Sequence, residues 1–120
     1  MCGIIGYAGD KQAAALLLEG LGRLEYRGYD SSGIAVMDAS GRFSLRKAVG
    51  HLSVLRSSVG DKLPQGATGI GHTRWATHGK PSVPNAHPHE DCQSQIVLVH
   101  NGIVENYLPI KKRLQQEGHR

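Results

Sequence analysis

Cys2 is the residue of this chain best placed to act as a nucleophile. Once the initiator methionine is removed, Cys2 becomes the first residue and holds a thiol and a free α-amine side by side. The thiolate is the attacking form, and an α-amine titrating at about 7.7–8.0 is a usable base near neutrality. A nucleophile and its proton acceptor on one residue need no distant histidine. With Met1 retained, the same nitrogen is a peptide nitrogen and accepts no proton. Cysteine also packs as a small apolar group, so the following residues decide between the two readings. Gly3-Ile4-Ile5-Gly6 sets two β-branched residues between glycines, the pattern of a short buried strand that other backbone can approach closely. A terminus anchored in a sheet is fixed in space, whereas most chain ends fray.

A thiol that attacks a carbonyl needs donors for the oxyanion and a grip on the rest of the substrate. Asn101-Gly102 offers two donors, the asparagine amide and the glycine N–H, although the same dipeptide commonly makes a plain turn. Arg74, within His72-Thr73-Arg74-Trp75-Ala76-Thr77-His78-Gly79, could clamp a carboxylate through two parallel hydrogen bonds or make a surface salt bridge. Trp75, the single tryptophan, reads either as a core packer or as an apolar cover over a site. His87, His89 and Cys92 are ligand types that could, with Cys2, be imagined around zinc. They lack the paired Cys-x-x-Cys spacing of structural sites, so no metal is expected. Gly66-Ala67-Thr68-Gly69-Ile70-Gly71 has the look of a phosphate loop but lacks Gly-Lys-Ser/Thr and precedes no helix.

The elements that must position these groups are legible in part. Ala14, Leu17, Leu18, Leu21 and Leu24 recur at helical spacing and predict an amphipathic helix over 11–24. Gly20 and Gly22 either weaken it or let it sit close against a neighbour. Residues 25–33 read as a loop. Strands are expected over 33–37 and around Phe43 and Leu45, joined by a turn at 38–41. Leu52, Leu55 and Val59 suggest a short helix, and 68–72 a further strand. From Thr73 to Gln95 there is no usable period, and Pro81, Pro84 and Pro88 forbid regular structure. A loop that long inside a compact domain is taken as functional. Ile96-Val97-Leu98-Val99 reads as a buried strand. Asn106 then caps a last helix with Pro109 in its first turn, Ile110 and Leu114 inward and Gly118 as the stop. Hairpin-like neighbours point to an antiparallel α+β sheet covered by helices.

Composition narrows the function classes. With 39% apolar and 20% charged residues, the 120-residue chain is expected to be a globular protein of at most one domain. Fourteen basic residues against ten acidic give +4, but only Lys111-Lys112-Arg113 cluster, so no nucleic-acid partner is expected. No apolar run approaches a membrane span, and Asp10 and Lys11 come too early for a signal peptide. Two cysteines make no disulfide framework, and a reducing cytoplasm is the expected setting.

The segments that carry these groups resemble, in order and along essentially the whole chain, the class II glutamine amidotransferases. The matching stretches are Met1-Cys2-Gly3-Ile4-Ile5-Gly6-Tyr7, Arg23 through Gly33, Gly71 through Gly79, Pro84 through His89, and Val99 through Tyr107. Tyr26-Arg27-Gly28-Tyr29-Asp30-Ser31 and Thr73-Arg74-Trp75-Ala76-Thr77-His78-Gly79 are similar to the sugar-phosphate branch of that class. The resemblance implies an N-terminal nucleophile (Ntn) hydrolase fold, an αββα sandwich of two facing sheets between helical layers. It implies Cys2 as nucleophile, its own amine as base, and Asn101 with Gly102 as the oxyanion hole. Arg74 and Thr77 would hold the glutamine carboxylate, with Trp75 and His78 in the same loop, and Arg27 and Gly28 would position Cys2. L-glutamine is the implied substrate, with no metal or organic cofactor. In the complete enzymes, which would be homodimers, the ammonia passes to sugar-isomerase domains that aminate fructose 6-phosphate. Members of the family continue well past residue 120, so residues 1–120 are expected to be the N-terminal portion of one glutaminase domain and the sandwich to be incomplete.

Overall fold

The computed structural model describes residues 2–27, 30–75 and 80–120, the side chain of Arg27 excepted. In chain order the elements are β1 (Gly3–Ala8), α1 (Ala13–Leu24), β2 (Ser31–Met37), β3 (Phe43–Val49), α2 (Leu52–Val59), β4 (Thr68–Arg74), β5 (His89–Glu90), β6 (Val97–Leu98) and α3 (Tyr107–Gln116). A single turn of 3₁₀ helix, Glu25–Arg27, follows α1 where the sequence suggested only loop. The first four long strands form one antiparallel sheet in the order β1-β4-β2-β3, and β5 and β6 make a separate two-stranded ribbon.

Alternation along the strands gives this sheet two unlike faces. On one face Ile34 and Val36 of β2 meet Ala13, Ala14, Leu17, Leu18 and Leu21 of α1, together with Leu52, Leu55 and Val59 of α2. Ile5 and Tyr7 of β1 and Leu63 pack against the margin of that core. The apolar stripe read from the sequence is therefore the stripe that α1 buries. Gly20 has the packing role: a Cβ there would collide with the Ile5 side chain, so its absence lets α1 lie close on β1.

The opposite face follows from the register. Gly3 pairs with Thr73, Ile4 with His72 and Gly33 with His72, so Ile4, His72, Gly33 and Arg74 lie away from the helices. The 80–88 segment is fastened to this face. Lys47 Nζ of β3 donates to the Ala86 carbonyl at 2.9 Å, and Asn85 Nδ2 donates to the Lys80 carbonyl at 2.8 Å. Gly33 is required here, because a Cβ would stand 2.1 Å from the His87 carbonyl oxygen.

Two expectations fail in the last third of the chain. The run Ile96–Val99 is not a buried strand: only Val97 and Leu98 pair, with β5, and Ile96 and Leu98 are 62% and 50% exposed. Likewise α3 forms where expected and ends at Gln116, just ahead of Gly118, whose φ is +93°, but it buries no residue and leaves Leu114 36% exposed. Nor does Asn106 cap it through its side chain. Apolar spacing forecast the elements, but their apolar sides are only partly covered: Val97 and Ile110 are half-buried, and Leu98 and Leu114 are exposed. No helix among the described residues is long and apolar enough to cross a membrane.

The core assignment carries a stability consequence. Leu17→Ala removes a side chain with no exposed surface from the α1 interface, and it should lower unfolding free energy by about 2–5 kcal/mol. Denaturant titration checks this, and a loss below about 1 kcal/mol would contradict that packing.

Candidate active site

The β1–β4 pairing carries Cys2 to the far end of β4. Gly3 stands opposite Thr73, so the residue before it meets the chain leaving the strand at Arg74 and Trp75. The Trp75 backbone N–H donates to Cys2 Sγ at 3.4 Å, and the thiol lies 3.8 Å from the Trp75 carbonyl oxygen. From the other side, Asn101 Nδ2 donates to the Cys2 carbonyl at 3.3 Å. Residue 2 is thus held between two segments that lie 73 and 99 positions away in sequence.

These contacts sit at a cavity of about 250 Å³ lined by Cys2, Arg74, Trp75, His87, His100, Gly102 and Ile103. The cavity collects one thiol, one guanidinium, one indole and the glycine of the Asn-Gly pair. Trp75 is 51% exposed, which rules out the core-packing reading and leaves it at the rim. The Arg74 carbonyl accepts the Asp30 backbone N–H at 2.7 Å, tying the β4 end to the start of β2. Of the residues singled out from the sequence, Cys2, Arg74, Trp75, Asn101 and Gly102 come together here. Gly28, Thr77, His78 and the side chain of Arg27 lie outside the described residues. A larger groove of about 790 Å³, between β1 and α1, contains none of these groups.

Behind the cavity stands a column of imidazoles, of which sequence reading weighed only His87 and His89, and those as zinc ligands. His72 is fully buried, and its ring lies 4.2 Å from that of His87 at an interplanar angle of 25°. His89 follows at 4.3 Å from His87, tilted by 57°. Cys92 does not join them. It lies with His119 Nδ1 at 3.8 Å and accepts the Arg120 backbone N–H at 3.1 Å. Among the described residues no group of three or more His, Cys, Asp or Glu side chains is arranged to hold a metal ion. The signal that would have found His72 was strand alternation, which puts it opposite Gly33 on the face away from the helices.

The column is neutral near pH 7. Burial, reinforced by His72, His89, Arg74 and His100, pushes His87 down to about 3. Burial also lowers His72, against the opposing effects of its hydrogen bond to Asn101 and the charge of Asp30, with His89 and Arg74 adding to the fall. His89 falls by burial and by Lys47 and Arg74. An imidazole that titrates near 6.5 when unfolded but lower when folded takes up its proton first in the unfolded state. Stability is therefore complete above the unfolded value and is lost as pH falls below it toward the folded value. The melting temperature should drop between pH 6.5 and 5, before Asp38 and Asp91 titrate, since both are held below the usual carboxylate value of 3.8. His87→Asn, which keeps an acceptor but not the titration, should make that drop shallower. A wild-type melting temperature that stays level across this window would contradict the neutral column.

No family model matches the chain. Curated relatives do. The glutamine–fructose-6-phosphate aminotransferase [isomerizing] of Caldanaerobacter subterraneus subsp. tengcongensis is 60% identical over 119 residues, covering 99% of this chain and 19% of that protein. The enzyme of the same name from Thermus thermophilus is 58% identical over 120 residues, covering 100% of this chain and 20% of its own length. Among solved structures, the glutamine phosphoribosylpyrophosphate (PRPP) amidotransferase from B. subtilis, complexed with ADP and GMP, superposes with a TM-score of 0.79 at 26% identity. That superposition covers 98% of this chain and 25% of the larger one. The chain spans about a fifth of the length of the curated relatives it matches. The antiparallel α+β architecture is that of the Ntn-type glutamine amidotransferase domains. Along its whole length the chain is homologous to the N-terminal region of the glutamine–fructose-6-phosphate aminotransferases, within the class II glutamine amidotransferases.

Proposed function

We propose that residues 1–120 are the N-terminal portion of one glutaminase domain that hydrolyses the side-chain amide of L-glutamine. The observation that carries this reading is the shared cavity, with Cys2 gripped by Trp75 and Asn101 beside Arg74 and Gly102. After removal of Met1, the Cys2 amine takes the thiol proton and the sulfur adds to the amide carbon of glutamine. The oxyanion that forms is received by Asn101 Nδ2, which in the structure donates to the Cys2 carbonyl, and by the Gly102 N–H. A donor placed in this way is worth about 2.7–4 kcal/mol in the transition state. The protonated amine returns its proton to the departing nitrogen, and ammonia leaves a γ-glutamyl thioester. Water, deprotonated by the same amine, releases glutamate.

The rest of the reading assigns the grip on the substrate. Arg74, with Thr77, pairs with the glutamine α-carboxylate through the fork geometry of guanidinium. Trp75 and His78 belong to the same glutamine-binding loop, and Arg27 and Gly28 position the terminal cysteine. No cofactor enters any step. Relatives 58–60% identical carry fructose 6-phosphate in their name, which supports amination of that sugar. In the proposed reading, downstream sugar-isomerase domains carry out that step in a homodimer. Both cysteines are free thiols, in keeping with action in the cytoplasm.

The test is Cys2→Ala in the full-length protein. Hydrolysis of glutamine should fall to background while amination of fructose 6-phosphate by free ammonia persists. Glutaminase activity surviving in that variant would remove Cys2 as the nucleophile.

A further inference from the structure

The segment that bears Asn101 and Gly102 has almost no secondary structure to hold it. β6 ends at Leu98, Asn101 and Gly102 are both exposed, and α3 begins only at Tyr107. An exposed asparagine on such a segment samples several rotamers, and its carboxamide can present either end. An oxyanion donor must instead be held in place before the reaction. The means of holding it are on the inner side. His72 Nε2 lies 2.7 Å from Asn101 Oδ1, and one residue earlier the His100 backbone N–H donates to His87 Nδ1 at 3.4 Å. The two imidazoles are stacked on each other, and His72 is fixed in β4 between β1 and β2.

We propose that His72 is the positioning residue of the oxyanion donor, holding the Asn101 carboxamide by its oxygen so that its NH₂ faces Cys2. The bonding pattern requires one arrangement of protons. Oδ1 of Asn101 only accepts, so His72 Nε2 carries the hydrogen. The other ring nitrogen, Nδ1, is buried without a hydrogen-bond partner among the described residues, so it carries none. A charged ring would bury an unsatisfied donor there, at the cost of its hydration. A neutral His72 with hydrogen on Nε2 thus points Asn101 Nδ2 toward residue 2, and that amide donates to the Cys2 carbonyl. His87 backs the ring and, through His100, fixes the backbone on which Asn101 sits. The assignment rests on the glutaminase reading above, since it is a role in that reaction.

The experiment uses the full-length protein with glutamine as substrate. His72→Ala should lower kcat by about 10²-fold, the scale of losing one oxyanion donor, with KM for glutamine changed less than about threefold. His72→Gln, which can offer an amide N–H in place of Nε2, should recover most of that loss. In an Asn101→Ala background His72→Ala should add nothing further, because residues acting through one another are not additive. Loss that multiplies in the double variant, or a kcat untouched by His72→Ala, would overturn the proposal. Nitrogen-15 NMR of the wild-type imidazoles gives a readout that survives a misfolded variant. Hydrogen on Nε2 and a bare Nδ1 at His72 are expected, and the reverse tautomer or a charged ring near pH 7 would overturn it. A wild-type protein that released no glutamate from glutamine would instead remove the glutaminase reading, leaving the His72–Asn101 bond still visible by NMR.

Discussion

The antiparallel pairing of β1 with β4 decides where residue 2 goes, and the remainder of the site is arranged around that point. Six residue pairs, from Gly3 with Thr73 to Ala8 with Thr68, lock the start of the chain into the sheet. A terminal thiol on a frayed end would sample many positions relative to Arg74 and Trp75. Here the ladder delivers it to the end of β4 within reach of the Trp75 N–H. Ordering the terminus costs conformational entropy, roughly 1–2 kcal/mol per residue. The ladder hydrogen bonds and the burial of Ile5 and Tyr7 against the α1 core offset it.

The sheet separates stability from chemistry by its two faces. One face is apolar and is closed by α1 and α2 through leucine, isoleucine and valine contacts. The other holds His72 and Arg74 and receives the 80–88 segment, pinned by Lys47 and admitted by the bare backbone of Gly33. This division explains why polar, loop-borne groups can stand in fixed relation to one another. His72 is rigid because it belongs to a central strand, and it passes that rigidity to Asn101, which belongs to no strand at all.

The sequence was most informative where a period or a turn signal had a single physical meaning. The 14, 17, 18, 21 spacing is the buried stripe of α1, Leu52, Leu55 and Val59 are the buried side of α2, and Asp38 through Gly41 close the β2–β3 hairpin. It misled where apolar character was read as burial. Ile96, Leu98 and Leu114 are apolar and exposed, because burial needs a partner surface and spacing does not say where that surface lies. The site was legible in its parts: cysteine, arginine, tryptophan and Asn-Gly each suggested a chemistry, and only family resemblance joined them. The imidazole column was not legible, because His72 reaches Asn101 across 29 positions and no local pattern records such a contact.

The most direct measurement of the central claim is covalent labelling of the full-length protein with an electrophilic glutamine analogue, read by peptide mass spectrometry. The account predicts one adduct per chain, on the peptide that begins at Cys2, and its suppression by excess glutamine. Label shared with Cys92, the other free thiol, or label on Cys2 that glutamine does not suppress, would contradict it.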